Sequence, residues 1–437
     1  MEENSVASLP AVYTGLEIPV SLLVPAFNEE DSISSSVQAL FQLQYPEFEI
    51  VVINDGSTDN TLNVLIETFE LVRFPEVVPN RIGTKEIKCS YISKKHPNLR
   101  VIDKYNGGKA DSLNAGINAS RYPLFCAVDA DSILQSNSLD RIVQPFMEDS
   151  FTVAAGGTVR IANGCEIHKG FVTKPRLPSN LLALFQVGEY LRAFLFGRLG
   201  WAPLNALLII SGAFGLFHKE TVVSVGGYRT DTIGEDMELI IRLHRILRKR
   251  KKKYRITFVP DPICWTEAPE DLKTLATQRI RWQRGLSESL LSNLGLMFNT
   301  NGGIVGWVAM PYMLFFEWIG PIIELVGIIS VSIGFYLGYI SPEITLLFFC
   351  VAIGFGMLLS IISVLLEEMS FHIYSNPFYV IVLFFASILE NFGYRQLNSW
   401  WRMTAMYRIV RKKNASWGTM KRNSTLKGRD DQVTQTK

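Results

Sequence analysis

The chain has 437 residues and a net charge of +2, and 48% of its residues are hydrophobic, a fraction that is high for a wholly soluble protein. The five cysteines show neither a CxxC motif nor paired spacing, which argues against a disulfide framework and a zinc site. The apolar excess lies after Asn301, and the first residues lack the pattern of a signal peptide, so we expect residues 1–300 to fold in the cytoplasm.

Strands and helices are predicted to alternate along these first 300 residues. Short apolar runs predict buried strands, and apolar residues at helical spacing predict the helices between them. The predicted strands are Pro19–Val24, Phe48–Ile53, Arg100–Asp103 and Leu124–Val128, and the predicted helices are Ser32–Leu43, one capped by Ser57, Thr58 and Asp59, one over 110–119, and Met237–Leu247. This rhythm predicts a doubly wound, mostly parallel α/β sheet over residues 17–270, after an N-terminal tail of residues 1–16.

Acidic residues follow two of the predicted strands, and ligands of such sheets bind at the carboxyl ends of the strands. Asp55 comes directly after one strand, and Asp129 and Asp131 come directly after another. A single aspartate at such a place is commonly a cap or a turn former. Two carboxylates at i and i+2 repel each other, and Mg²⁺ or Mn²⁺ bound also to a diphosphate would relieve that repulsion. We therefore predict a metal between Asp129 and Asp131, and a nucleotide contact from Asp55.

A glycine-rich loop, Asn106–Lys109, opens the predicted helix over 110–119. Two glycines permit a close backbone approach, and a lysine at a helix N-terminus suits a phosphate. A plain turn with a solvated lysine is the alternative. The loop matches neither the Walker motif nor the GxGxxG fingerprint, which argues against ATP and NAD.

Two later motifs suit sugar transfer. Glu235 and Asp236 begin a predicted helix, where a carboxylate would deprotonate an acceptor hydroxyl; a charge that only stabilises the helix N-terminus is the alternative. The segment Gln278–Trp282 holds two arginines and a tryptophan, which suit a diphosphate and a sugar ring; a juxtamembrane belt is the alternative. The basic run Arg245–Arg255 suits anionic lipid, and nothing else supports nucleic acid as a partner.

The sequence after residue 303 predicts a membrane region. Ile344–Leu366 carries no charge and is long enough to span a bilayer. The stretch Ile304–Ile340 predicts one span and an interfacial helix, and Phe378–Leu389 predicts an interfacial or re-entrant segment. We favour two spans, and four crossings are the alternative. The predicted regions are an interfacial segment at 271–303, membrane helices at 304–400 and a basic cytoplasmic tail at 401–437.

These motifs, in this order, resemble those of the processive family 2 glycosyltransferases, which include synthases of hyaluronan, chitin, cellulose and poly-N-acetylglucosamine. The resemblance covers residues 18 to about 300 and implies a GT-A-like fold. The nucleotide-sugar site is then predicted to comprise Pro25, Ala26, Asn28, Glu29, Asp55, Lys109 and Asp129. The acceptor and diphosphate site is predicted to comprise Gly212, Phe214 and the QxxRW residues Gln278, Arg281 and Trp282. In its DxD motif Asp131 holds the metal, and Asp236, beside Glu235, is the general base. The base motif departs from many relatives, which have threonine in place of Gly234.

The resemblance implies inverting transfer of a sugar from a UDP donor to a growing β-linked polysaccharide, by a multi-pass cell-membrane enzyme with a cytoplasmic catalytic domain. UDP-N-acetylglucosamine and then UDP-glucose are the expected donors. Transfer of one sugar to a lipid or polyisoprenyl phosphate is the alternative. A pore or transporter subunit is another, supported by the acids Glu317, Glu324 and Glu390 in apolar sequence. Many relatives carry N-terminal spans that this sequence lacks, so we expect a partner subunit or homo-oligomer to complete a channel, or a short product.

Overall fold

The computed structural model describes residues 17–168, 170–374 and 376–411. The predicted N-terminal tail and residues 412–437 of the predicted basic tail lie outside the described residues. The strands are β1 Val20–Ala26, β2 Phe48–Asn54, β3 Leu71–Arg73, β4 Ile87–Ser93, β5 Leu99–Lys104, β6 Leu124–Val128, β7 Ile133–Leu134, β8 Thr152–Ile161, β9 Glu166–His168, β10 Phe171–Lys174, β11 Phe214–His218 and β12 Arg255–Thr266.

Helices alternate with these strands and then continue without them. They are α1 Ile33–Leu40, α2 Thr61–Phe69, α3 Lys109–Ala119, α4 Ser138–Glu148, α5 Leu181–Tyr190, α6 Gly197–Trp201, α7 Lys219–Ser224, α8 Glu235–Lys249, α9 Leu272–Ser292, α10 Met310–Tyr312, α11 Gly320–Tyr336, α12 Pro342–Ser370, α13 Pro377–Leu389 and α14 Tyr394–Val410. Segments of π-helix adjoin them at Leu191–Phe196, Val305–Ala309 and Met313–Trp318.

Ten of the described strands build one sheet in the order β3-β4-β5-β2-β1-β6-β11-β8-β12-β7, and β9 and β10 form a separate two-stranded antiparallel sheet. The centre of the larger sheet, β5-β2-β1-β6, is parallel. These strands are continuous apolar runs because helices cover both of their faces, and Leu22, Val51 and Val101 are fully buried. Their carboxyl ends therefore meet at one edge of the sheet.

The remainder of the sheet is mixed. Strand β11 runs antiparallel to both β6 and β8, and β3 and β4 form an antiparallel edge beside β5. Neither β3 nor β4 was predicted from the sequence, because β3 has only three residues and Lys88 and Ser90 interrupt the apolar pattern of β4. The addition of β11 next to β6 brings residues 211–213 to the carboxyl end of β6.

The predicted caps of the second helix are displaced. Helix α2 begins at Thr61, after Ser57, Thr58 and Asp59. These residues bond elsewhere: the Ser57 hydroxyl and the Thr58 amide pair with Asn28, and only Asp59 accepts from an amide of the helix, that of Thr61 at 2.9 Å. The polar side chains before α2 thus hold two loops together.

The region predicted to lie in the membrane contains bent helices. Among the described residues, only α12 is by itself long and apolar enough to cross a bilayer. Two further pairs would do so if each bent pair is one span: Val305–Trp318 with Gly320–Tyr336, bent by 41°, and Pro377–Leu389 with Tyr394–Ile409, bent by 55°. The described chain therefore offers between one and three spans, and the predicted topology of two or four crossings stays a prediction.

Buried ion pairs join the sheet domain to the membrane helices. Arg160 of β8 and Glu367 of α12 lie 2.9 Å apart, and each side chain is 3% exposed. Glu390, after α13, pairs with Arg192 and accepts from Ser360 at 2.6 Å. The acids that favoured a pore are thus paired within the protein, since Glu317 also pairs with Arg402 and Glu324 with Arg395.

Candidate active site

The Asn106–Lys109 loop is held by Asp55, at the carboxyl end of β2. One Asp55 carboxylate oxygen accepts from the Gly107 amide at 2.9 Å, and the other accepts from the Gly108 amide at 2.8 Å. The Asn106 side chain donates to the Asp55 carbonyl at 2.9 Å. Gly108 has a φ of +88°, which favours glycine at this position. Asp55 therefore fixes the loop through which Lys109 reaches the sheet edge.

Lys109 connects the Asp129–Asp131 motif to the Glu235–Asp236 motif. Its ammonium group pairs with Asp129, after β6, and donates to the Gly212 carbonyl at 3.3 Å. The Gly212 amide in turn donates to an Asp236 carboxylate oxygen at 3.2 Å. Burial lowers the pKa of Lys109, but attraction to Asp129, Glu235 and Asp236 outweighs that effect and leaves the pKa raised. Lys109 is thus a protonated cation among three carboxyl groups.

Glu235 is the buried member of the motif that begins α8, with 8% exposure. Burial raises the pKa of Glu235 to about 7; Lys109 opposes this rise, and the charges of Asp236 and Asp129 add to it. Asp236 is half-buried, and its two oxygens accept from the Gly212 and Met237 amides. Each of these oxygens keeps a lone pair for a further donor.

The predicted metal ligands lie in a turn directly after β6. Asp129 and Asp131 are both half-buried, and Asp129 is neutralised by Lys109. Carboxylate oxygens suit Mg²⁺ or Mn²⁺. Across the described ranges, no group of three or more His, Cys, Asp or Glu side chains is arranged to hold a metal ion. The residues present fit a site with one or two protein oxygens that takes its other ligands from a diphosphate.

The predicted nucleotide-base loop follows β1 and packs on the loop before α2. The Asn28 side chain accepts from the Thr58 amide at 2.8 Å, with Asn28 at a φ of +56°, a conformation that asparagine tolerates. The Glu29 amide donates to Thr61 at 2.8 Å. The Ala26 carbonyl accepts from the Asp55 amide at 2.9 Å, which joins this loop to the carboxyl end of β2.

Helix α9 carries the predicted QxxRW residues. Arg281 is half-buried, and no hydrogen bond or ion pair of its side chain is found among the described residues. The buried side-chain oxygen of Gln278 likewise accepts no bond from them. The Trp282 and Phe194 rings pack with their centroids 5.8 Å apart. The Arg279 guanidinium lies 4.4 Å from the Trp282 ring centroid. The motif thus keeps a guanidinium and an amide oxygen available to a ligand.

Phe214 belongs to the core and not to an open surface. Its side chain is 0% exposed and packs in the main hydrophobic cluster. A direct contact between this ring and an acceptor sugar is therefore not supported. The role predicted for this segment rests on the backbone of residues 211–213, which lies beside Lys109 and Asp236.

Two basic residues near the site were not predicted. Lys104, 0% exposed, donates to Asp55 at 2.6 Å and pairs with Asp111 at 2.6 Å. Arg198 is 4% exposed, its Nη1 has no hydrogen-bond partner among the described residues, and burial lowers its pKa to about 10 while the Asp236 charge opposes that change. The position of Lys104 at a strand end was a usable signal, whereas Arg198 stands alone in an apolar stretch.

Two proteins of known identity are similar in sequence to this chain. The chain is 28% identical over 304 residues to the poly-β-1,6-N-acetyl-D-glucosamine synthase of Staphylococcus epidermidis, covering 69% of this chain and 61% of that protein. It is 31% identical over 275 residues to the enzyme of the same name from Staphylococcus aureus strain MSSA476, covering 62% of this chain and 55% of that protein. The match therefore spans less than two thirds of the length of these relatives.

A solved structure shares the fold. A mannosyltransferase from Pyrobaculum calidifontis, in complex with GDP-mannose and Mn²⁺, superposes with a TM-score of 0.53 at 16% identity, covering 91% of this chain and 88% of that one. The predicted GT-A-like fold class is thereby confirmed. The model named glycosyl transferase family 2 matches residues 21–169, and that named glycosyl transferase family group 2 matches residues 124–359. Since the second match covers more than half of the chain, the protein belongs to glycosyl transferase family group 2.

Proposed function

We propose that this chain is a membrane-bound inverting glycosyltransferase that extends a β-linked polysaccharide from a UDP-activated sugar, on the cytoplasmic side. The observation that carries the proposal is the connection from Asp129 through Lys109 and Gly212 to Asp236. It joins the predicted metal and diphosphate region to the predicted base within three contacts.

The proposed donor site lies at the carboxyl ends of β1, β2 and β6. Asp131, with Asp129 beside it, would hold Mg²⁺ or Mn²⁺, which neutralises diphosphate charge when bound. Lys109 and Arg281 add positive charge on the protein side, where charge develops on the leaving diphosphate. The raised pKa of Lys109 keeps its side chain charged, and the Arg281 side chain has no partner among the described residues. Both side chains therefore suit this role.

Asp236 is the proposed general base. Its carboxylate is held by the Gly212 and Met237 amides and keeps lone pairs directed away from these donors. The acceptor hydroxyl gives its proton to Asp236 as its oxygen attacks the anomeric carbon and the bond to the diphosphate breaks. Attack opposite the leaving group inverts an α-linked donor to a β-linked product. Trp282 is proposed to pack against the acceptor end.

The proposed donor is UDP-N-acetylglucosamine, ahead of UDP-glucose. The support is the name of the staphylococcal relatives, which are poly-β-1,6-N-acetyl-D-glucosamine synthases. The proposed product is accordingly a β-linked N-acetylglucosamine polymer, and a homo-oligomer or partner subunit would complete any channel.

A donor panel with product sizing tests this function. The purified full chain, in detergent with Mn²⁺, is incubated with UDP-N-acetylglucosamine, UDP-glucose and GDP-mannose, and the products are resolved by length. A ladder from UDP-N-acetylglucosamine is expected, and D236N should abolish it while UDP binding persists. A product with a single added sugar would favour transfer to a lipid over chain extension. If no donor releases its nucleotide, the proposal is wrong.

A further inference from the structure

The first residues of the loop that leads to Asp236, residues 225–234, are held by hydrogen bonds from α3 and α8. The Asn114 side chain of α3 accepts from the Tyr228 amide at 2.7 Å and donates to the Tyr228 carbonyl at 2.8 Å. Arg242 of α8 donates to the Val225 and Gly227 carbonyls. The start of the loop is therefore fixed by the same helices that begin at Lys109 and at Glu235.

The end of this loop is fixed by α9 instead. One Glu288 carboxylate oxygen accepts from the Ile233 amide at 2.9 Å and from the Thr232 hydroxyl at 3.1 Å. The other accepts from Arg284 at 2.7 Å, which holds the Glu288 side chain in place. The Ser289 hydroxyl donates to the Gly234 carbonyl at 3.2 Å. Three consecutive residues directly before Glu235 and Asp236 are thus bonded to one turn of α9.

The backbones of α9 and the loop also touch directly at two glycines. A Cβ atom on Gly285 would lie 2.9 Å from the Gly234 Cα, and a Cβ atom on Gly234 would lie 2.8 Å from the Gly285 backbone. Side-chain carbons do not approach backbone atoms so closely, so any larger residue at either place moves the helix and the loop apart. A glycine inside a helix costs about 1 kcal/mol relative to alanine, and the close contact accounts for its presence here.

Gly285 and Glu288 follow Arg281 and Trp282 by one to two turns of the same helix. We propose that Gly285 and Glu288 are positioning residues, through which α9 sets the place of Asp236 relative to the diphosphate and acceptor contacts that α9 also carries. This inference rests on the proposed function, because it takes Asp236 as the base. It adds that the QxxRW helix and the base are held as one unit, through contacts of residues 232–234 with α9 residues that follow the QxxRW motif.

Positioning differs from plain packing in its kinetic result. A displaced base slows transfer in the bound complex. UDP binding rests mainly on the loops after β1, β2 and β6 and is largely preserved, because the proposed role of Arg281 of α9 is to offset the charge that develops on the leaving diphosphate during transfer. Displacement of a reacting group by about 1 Å costs on the order of 100-fold in rate. Loss of packing alone would lower folding stability and would change kcat and the UDP affinity together.

The test compares G285A, E288A and E288Q in the full chain in detergent, with kcat and KM for the donor, UDP affinity with Mn²⁺ and thermal melting. We expect G285A and E288A to lower kcat by about 10- to 100-fold with UDP affinity changed less than about twofold. E288Q, whose amide oxygen can still accept from Ile233 and Thr232 but whose amide nitrogen cannot accept from Arg284, should recover part of kcat. G295A is the control, because a Cβ atom at Gly295 meets nothing within 4 Å.

Unchanged kcat in G285A and E288A would overturn the inference. So would losses of kcat and UDP affinity that follow the melting temperature, since those describe a merely structural contact. D236N is measured in parallel: if it stays active, the proposed base is wrong, whereas an inactive D236N beside an active G285A rejects the positioning role alone.

Discussion

Lys109 forms an ion pair with Asp129 at the point where the glycine loop before α3 meets the end of β6. The same ammonium group lies within electrostatic reach of Glu235 and Asp236. One cation therefore offsets the charge of three carboxyl groups that would otherwise repel one another and an incoming diphosphate.

Replacement of Lys109 by methionine should lower kcat/KM for the nucleotide-sugar donor. The variant keeps the length of the side chain but loses the charge and the hydrogen bond to Gly212. A hydrogen bond from a charged group contributes about 1.5–3 kcal/mol, so kcat/KM should fall by about 10- to 100-fold. The measurement is the initial rate of UDP release at varied donor concentration. The exposed Lys94 supplies the control K94A, which should match the parent; equal rates for K109M would remove this residue from the site.

Measurements of metal dependence and of Mn²⁺ binding should separate the roles of Asp129 and Asp131. Removal of divalent cations by a chelator should stop turnover, and Mn²⁺ or Mg²⁺ should restore it. D131N should bind Mn²⁺ in the presence of UDP more than about 10-fold more weakly than the parent, because the replaced group is the proposed ligand. D129N should bind it more tightly than D131N does, because Asp129 is already neutralised by Lys109.

The readout for this pair is the electron paramagnetic resonance signal of free Mn²⁺, which does not depend on turnover. Equal Mn²⁺ binding by D131N and the parent would move the metal to another group. Full activity after chelation would remove the metal from the proposed chemistry.

The centre of the sheet was accessible from sequence because each of its strands is a continuous apolar run. Strand β6 has the predicted bounds, and β1, β2 and β5 lie within one or two residues of theirs. Acids that directly follow such runs must lie at one edge of a parallel sheet.

Contacts between distant segments were not accessible in the same way. Glu288 bonds to Ile233 across 55 positions of sequence, and Lys104 bonds to Asp55 across 49. Glu288 belongs to no local pattern, and the strand-end position of Lys104 does not identify its partner. A charged residue that is buried by its partner looks in sequence like one that is solvated. The bends at the break between Trp318 and Gly320 and after Leu389 likewise do not follow from apolar length. Gly320 and Pro321 stand at the first bend and Gly393 at the second, and such residues commonly break a helix.

The raised pKa of Glu235 predicts that the folding stability depends on pH. Burial raises its pKa from 4.5 to about 7, so between these values the folded chain holds a proton that the unfolded chain has released. Stability should therefore fall as pH rises through this window. E235Q does not titrate, and its advantage in unfolding free energy over the parent should grow across the window toward a value on the order of 3 kcal/mol.

Thermal melting of both chains in detergent from pH 4.5 to 8, without nucleotide, measures this difference. The exposed Glu86 gives the control E86Q, which should follow the parent at every pH. A constant offset between E235Q and the parent across the range would contradict the raised pKa.

The buried pair between Arg160 and Glu367 should link the stability of the sheet to that of α12. E367A leaves the Arg160 guanidinium buried without its partner, and the expected cost is about 3–5 kcal/mol in the free energy of unfolding. The Nε and Nη2 atoms of Arg160 already have no hydrogen-bond partner among the described residues, so the pair is incompletely satisfied even when intact. The double variant R160M/E367M should therefore recover most of the loss, because two apolar side chains need no partners. Melting of the three chains in the same detergent checks this order, and a double variant less stable than E367A would show that the charges themselves hold α12 against β8.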